Sequence, residues 1–284
     1  MATTYIHGTE PSEQGRLAAL NRMTNRAFVE FLDVGRATRV LEVGSGVGIL
    51  AGDVAAVADE VKVIGLERSS EQIAAAARIA RVSFVQGDAH QLSFRDGAFD
   101  LAYARYLLEH VADPERVLRE MRRVVRAGGR VAVCENDISL LRVDPPCPTF
   151  EAVWSAFQRY QASVGGDGLI GRRLFRLFRA AGLSDITLSV QPEVHWQGSP
   201  RFVSWIENII GNIESVREGM VAGTSAVLPR STRPWLSCAS SPACPMRVPI
   251  SCGTGRSAFV ESEGHAPGGM GRAPSGGSAC VHRP

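Results

Sequence analysis

Lysine is nearly missing from this chain. Lys62 is the only one, so arginine supplies the other 30 of 31 basic residues, which reads as codon bias in a GC-rich genome and carries no functional signal. Basic runs are absent too, and the formal net charge is +2. A surface for nucleic acid needs clustered Lys and Arg, so no polyanionic partner is expected. No apolar run approaches the ~18 residues that a membrane span requires. Met1 to Gly8 lacks the apolar core of a signal segment. A soluble cytoplasmic protein is therefore the expectation. Four of the six cysteines, Cys238, Cys244, Cys252 and Cys280, crowd the last 50 residues at spacings that match no zinc site, so no metal is expected. What is plentiful is apolar residue: a hydrophobic content of 45% is ample for a core, and 284 residues allow one large domain or two small ones.

The chain is organised around Arg39-Val40-Leu41-Glu42-Val43-Gly44-Ser45-Gly46-Val47-Gly48. An apolar β-branched run, broken by one acid, leads into three glycines at alternate positions. A helical pattern follows from Ile49 to Ala58. Strand, glycine loop and helix place backbone N–H groups at the carboxyl end of a strand, where ligands of open α/β sheets bind. A dinucleotide fingerprint, G-x-G-x-x-G, would need glycine at position 49, which is Ile49. Glu42, just before the loop, would also oppose an incoming pyrophosphate and suits a cationic ligand better.

The V-L-E-V-G-S-G-x-G form resembles motif I of the class I S-adenosylmethionine-dependent methyltransferases. Their methyl donor carries an amino group and a sulfonium and no phosphate. The resemblance implies that Glu42 holds the donor's amino end and that Gly44, Ser45, Gly46 and Gly48 form the loop around it. Val61 to Leu66 reads as a second strand ending at Glu67-Arg68, 19 residues past Gly48 for Glu67. A carboxylate there, an acceptor with two oxygens, can take both ribose hydroxyls. Val82 to Gln86 is a third strand followed by Gly87-Asp88-Ala89, and Asp88 resembles the family's adenine reader.

Phe99 to Ala104, the fourth strand, runs into Arg105-Tyr106-Leu107-Leu108-Glu109-His110-Val111. This resembles the "L-E-H" segment of the group that includes ubiquinone and menaquinone C-methylases, and it implies that backbone around Arg105 meets the methionine end of the donor. His110 reads either as a catalytic base or as a packing residue. Asp113-Pro114 starts a helix, and Gly128-Gly129 is expected to stop it before a fifth strand, Arg130 to Cys134. Arg122 to Gly129 resembles the family's "R-V-L-K-P-G-G" signature, with Ala127 in place of proline. Glu135, Asn136 and Asp137 follow that strand; they either serve the substrate or cap the next loop.

Beyond this the βα alternation lapses. Ser12 to Leu32 reads as a helix preceding the first strand, and Phe150, Val153, Trp154, Phe157 and Tyr160 share one face of another. Together they are expected to cover the pocket, with Tyr5, Arg16, Tyr106 and Trp154 as substrate-pocket candidates. Ile186 to Val190 alternates as a sixth strand, and a helix follows Ser199-Pro200. From about Ala226 the composition shifts to Pro, Ser, Gly, Arg, Cys and Ala, with no Asp, Lys, Asn or Tyr. That segment reads as disordered or as translated out of frame.

The expected fold is therefore a Rossmann-like α/β protein with a doubly wound, mostly parallel, seven-stranded methyltransferase sheet. Its seventh strand is expected antiparallel between the fifth and sixth, or missing; Ser257 to Glu261 is the candidate. The expected division is an N-terminal helical cover over 1–35, a methyltransferase domain over 36–225 with an insertion over 138–170, and an aberrant tail over 226–284. The implied activity is in-line methyl transfer from S-adenosylmethionine to a small-molecule acceptor. The alternative is a donor-binding protein without turnover, damaged by the frameshift. No feature specifies the oligomeric state.

Overall fold

The computed structural model describes residues 11–35, 37–76, 78–223, 252–253 and 257–263. Helix α1 (Pro11–Leu32) precedes strand β1 (Arg39–Val43) and helix α2 (Ile49–Ala55). Strand β2 (Lys62–Glu67), helix α3 (Ser70–Ala75) and strand β3 (Val82–Gln86) follow. The Ser69 hydroxyl caps α3 by accepting from the Gln72 N–H. Strand β4 (Phe99–Arg105) leads to helix α4 (Pro114–Val124), which Asp113 caps through the Arg116 N–H. Strand β5 (Val125–Glu135) begins earlier than expected: α4 ends at Val124, and Gly128-Gly129 lies inside the strand, where the β4–β5 register shifts. Gly129 has no room for a Cβ, which would stand 2.6 Å from the Asp100 carbonyl oxygen. Gly129 thus fits the strand against β4, Gly128 takes left-handed backbone at φ 69°, and neither ends the helix.

Helix α5 (Pro148–Ser163), a 3-10 turn over Ile170–Arg173, helix α6 (Leu174–Ala180) and strand β6 (Ser184–Gln191) come next. Strand β7 (Val194–His195) pairs with strand β8 (Cys252–Gly253) outside the main sheet, a pairing with no sequence signal. Helices α7 (Phe202–Ser215) and α8 (Arg217–Gly223) lie between them in the chain, and strand β9 (Ser257–Glu263) is last.

The sheet order is β3-β2-β1-β4-β5-β9-β6. β1 to β5 are parallel, and β9 runs antiparallel to both neighbours, pairing Glu135 with Ala258 on one side and Gln191 with Ser257 on the other. The seventh strand is present and takes the expected antiparallel place between the fifth and sixth, over the Ser257 to Glu261 candidate. The sheet also passes the expected boundary at residue 225. What remains of the tail expectation falls on 224–251, 254–256 and 264–284, outside the described residues.

Strand alternation sorts the side chains between two cores. Leu41, Val43, Ala102, Ala104, Val131 and Val133 pack with α4 and α6 on one face. Val40, Val63, Leu101, Tyr103, Ala132 and Cys134 pack with α1 and α2 on the other. A third cluster, Phe150, Trp154, Phe157, Phe202, Trp205 and Ile209 among its members, joins α5 to α7. No helix of the described residues is long and apolar enough to cross a membrane.

Candidate functional site

β1 and β4 are neighbours, and the connections that leave their carboxyl ends run in opposite directions, β1 to β2 and β4 to β5. That divergence opens a crevice above the strand ends. A cavity of about 530 Å³ occupies it, walled by the glycine loop, the ends of β2 to β4, α1, α5 and α7.

The loop reaches into the crevice because its glycines adopt the left-handed region, φ 77° at Gly44 and 55° at Gly46. Gly65 in β2 is equally necessary: a Cβ there would stand 2.6 Å from the Ser45 hydroxyl. Gly44, Ser45 and Gly46 wall the cavity, as expected, but Gly48 does not. A Cβ on Gly48 would stand 2.3 Å from the Phe84 ring, so this glycine seats α2 against β3 and does not face the ligand.

Glu42 and Arg105 form the floor. Both are at least nine-tenths buried, and Glu42 Oε2 and Arg105 Nε have no hydrogen-bond partner among the described residues. Burial pushes the Glu42 carboxyl well above the usual carboxylate range, against the pull of the Arg105 guanidinium. The other Arg105 nitrogens donate to Asn21, Thr24 and Asn25 of α1, and Asn25 donates to Asp53 of α2 at 2.5 Å. The N-terminal helix is thus tied to the crevice floor by one buried cation. The same guanidinium lies 4.6 Å from the centre of the Tyr106 ring, and Tyr106 has φ 51°, a conformation rare outside glycine.

Glu67 stands at the end of β2. Its carboxylate accepts from the Gly46 N–H at 2.9 Å and from the Arg68 and Ser69 N–H groups at 2.8 and 2.9 Å. It therefore braces the glycine loop while facing the cavity with Arg68. Asp88 and Ala89 reach the cavity from the end of β3. The backbone N–H of His90 holds the Asp88 carboxyl below its ordinary range, and the His90 ring adds a contact at 2.8 Å.

The candidate catalytic residues separate. His110 faces the cavity, with Nε2 3.7 Å from Glu109 Oε1. Glu135 does not: Oε1 of this fully buried side chain accepts from the Leu107 and Leu108 N–H groups at 2.9 and 2.7 Å. It holds the segment after β4 in place, and burial together with the nearby Glu109 pushes its carboxyl well up. Asp137 is also turned away. Its carboxylate accepts from Arg172 at 2.7 Å and from Ser139, pinning the start of the 138–170 insertion to the turn before α6. Neither acid is placed to meet a substrate.

Trp154 and Tyr106 wall the cavity; Tyr5 lies outside the described residues, as does the side chain of Arg16 on α1. Sequence reading missed Glu109, Gln161 and Trp205. Gln161 Nε2 donates to Glu109 Oε2 at 2.9 Å, and the Asp167 N–H donates to the Glu109 carbonyl. A polar residue on the aromatic face of α5 was the available signal for Gln161. Among the described residues no His, Cys, Asp or Glu group could hold a metal ion.

A doubly wound sheet with an antiparallel seventh strand, a glycine loop without pyrophosphate spacing, and acids at the ends of β1, β2 and β3 define a nucleoside-binding enzyme class. Comparison with known proteins narrows it. The family model described as "Methyltransferase domain" matches residues 41–133. O-methyltransferase resE from Aspergillus sclerotiorum is 30% identical over 64% of this chain and 69% of its own. Demethylmenaquinone methyltransferase from Beutenbergia cavernae is 33% identical over 49% and 55%. The fold matches phosphoethanolamine N-methyltransferase 2 from Haemonchus contortus with a TM-score of 0.51, 19% identity, and coverage of 89% of this chain and 53% of that one. The chain belongs to the class I S-adenosylmethionine-dependent methyltransferases. It spans about half the length of the first curated relatives it matches.

Proposed function

We propose that this protein transfers a methyl group from S-adenosylmethionine to a small-molecule acceptor. The observation that carries the reading is the Glu42 carboxylate, buried and with Oε2 unpartnered at the floor of the glycine-loop crevice. A buried carboxyl oxygen without a partner is costly, and a cationic ligand group relieves that cost. The residues present suit the donor. Glu42 takes its amino end, with backbone beside Arg105 at the methionine portion; Glu67 and Arg68 flank the ribose; Asp88 and Ala89 meet the adenine.

When bound, S-adenosylmethionine supplies an activated methyl: the sulfur–carbon bond breaks, sulfur keeps the electron pair, and the acceptor O, N or C forms the new bond as its proton departs. The chain's part is chiefly orientation, which in well-placed systems supplies about 7–11 kcal/mol. α1, clamped by Arg105, and α5 with α7 keep water from the reacting centre. His110 is the candidate to receive the acceptor's proton, or to pass it to water, because it alone of the candidate bases faces the cavity. Glu135 positions His110 indirectly through the Leu107–Leu108 backbone.

The test is incubation of the full chain with methyl-labelled donor and a metabolite pool, read by mass spectrometry. Label in a small molecule together with S-adenosylhomocysteine is the expected result; donor binding with no labelled product from any pool would refute turnover.

A further inference from the structure

The cavity has two chemically different halves. Over β1 to β4 it is polar, with the glycine loop, Glu42, Glu67 and Asp88. Over β5, α5 and α7 it is aromatic. There Trp154, Phe157 and Trp205 wall it, with Trp154 stacked on Phe157 at 5.0 Å between ring centres, 14° from parallel. These three side chains are each more than nine-tenths buried. The Trp154 indole N–H is already satisfied by the Ile138 carbonyl at 2.9 Å, so the ring offers the cavity apolar surface only.

Among the described residues, the charges of this half all have one sign or none. Glu109 and Glu193 wall it together with His110. The two described guanidinium groups at the cavity belong elsewhere: Arg68 follows β2, and Arg105 donates to α1. Arg172 is held by Asp137 and Arg173 by Asp167, both outside the wall. A carboxylate or phosphate placed here would lose its water and meet two acids, with no cation among the described residues of this half to replace the water. A ring system with an O–H or N–H donor would instead pack against the aromatic walls and give its hydrogen to the Glu109 carboxylate or the His110 ring.

We infer that the acceptor is an aromatic or polycyclic molecule carrying a hydroxyl or amine N–H and no anionic group. This rests on the methyltransferase reading for what is done to the acceptor, but its test is a binding measurement. The probes are 2-naphthol and 2-naphthoate, of equal ring area, one neutral and one anionic at pH 7. Each is titrated calorimetrically into the full chain, with and without saturating S-adenosylhomocysteine. The expected result is 2-naphthol binding at least tenfold tighter than 2-naphthoate. Trp154→Leu is expected to weaken 2-naphthol at least fivefold and to leave S-adenosylhomocysteine unchanged. The inference is overturned if 2-naphthoate binds as well as 2-naphthol, or if 2-naphthol does not saturate in the wild-type chain. The wild-type pair decides the charge claim whether or not the variant folds. Failure of S-adenosylhomocysteine to bind would strike the methyltransferase reading alone, since the naphthol comparison is scored without it as well.

Discussion

Gly48→Ala separates what holds the glycine loop together from what faces the ligand. Gly48 has φ 79°, and a Cβ there would stand 2.3 and 2.8 Å from two Phe84 ring atoms. Two costs combine: about 1–2 kcal/mol for an L side chain in left-handed backbone, and about 1–3 kcal/mol for forcing a ring aside in a packed interior. The sum, about 2–5 kcal/mol, is a large part of the ~5–15 kcal/mol that stabilises a domain. Gly198 is the control, with φ 90° and nothing within 4 Å of an added Cβ. Gly198→Ala therefore carries the backbone cost alone. Gly46 is intermediate: φ 55°, with the end of the flexible Gln72 side chain at 2.9 Å. Urea unfolding followed by tryptophan fluorescence ranks the three variants, and the expected order of destabilisation is Gly48, Gly46, Gly198. Folded Gly48→Ala should retain donor affinity within a few-fold, whereas Gly46→Ala disturbs an N–H that braces Glu67. The reasoning fails if Gly48→Ala costs no more than Gly198→Ala.

Glu67→Ala should weaken S-adenosylhomocysteine by about 1.5–3 kcal/mol, the range for a hydrogen bond to a charged group; unchanged affinity in a folded variant would remove the ribose assignment. Glu42, raised by burial in the free chain, should lose its proton when a cationic amino end binds. Affinity should then rise with pH until the free carboxyl is ionised, with proton release measurable by calorimetry in buffers of different ionisation heat, and a flat pH profile in both wild type and Glu42→Gln would contradict it. Asp100 joins the start of β1 to β4 and β5, accepting from the Thr38 and Arg39 N–H groups and from Arg126. Burial alone would raise its carboxyl, but Arg126 and the Arg39 and Thr38 N–H groups outweigh that and hold it well below the usual range. Its stabilisation is thus present above the unfolded value of about 3.9 and is lost as pH falls through the folded value. Asp100→Ala should lower stability at pH 7 by about 1.5–3 kcal/mol, and the deficit should shrink in acid; a pH-independent deficit would refute the assignment.

The donor half of the site was legible because its residues sit at strand ends, and strand ends are set by short-range pattern. Glu42 interrupts the first apolar run, Glu67 closes the second, Asp88 follows the third, and the loop glycines announce their own backbone conformation. Gly48 was misread because its neighbour, Phe84, is supplied by β3, which the glycine pattern does not report. Glu135 and Asp137 looked equivalent as acids following β5. What distinguishes them from a substrate-facing pair is where their partners come from: the Leu107–Leu108 backbone for one, Arg172 for the other, neither readable from spacing. The Glu109–Gln161 bond spans 52 residues and depends on how α5 returns over the sheet. β9 carries little sequence signal because its flanks lack strand pattern. Its place is defined by the gap between β5 and β6, a property of the assembled sheet.

The central claim is that the Gly44–Gly46 crevice takes an S-adenosyl ligand and not a dinucleotide. Calorimetric titration of the full chain with S-adenosylhomocysteine and, separately, with NAD tests it most directly. The account requires saturable one-to-one binding of S-adenosylhomocysteine, weakened in Glu67→Ala, and no saturable binding of NAD. Saturable NAD binding that S-adenosylhomocysteine does not displace, or no binding of S-adenosylhomocysteine at all, would contradict it.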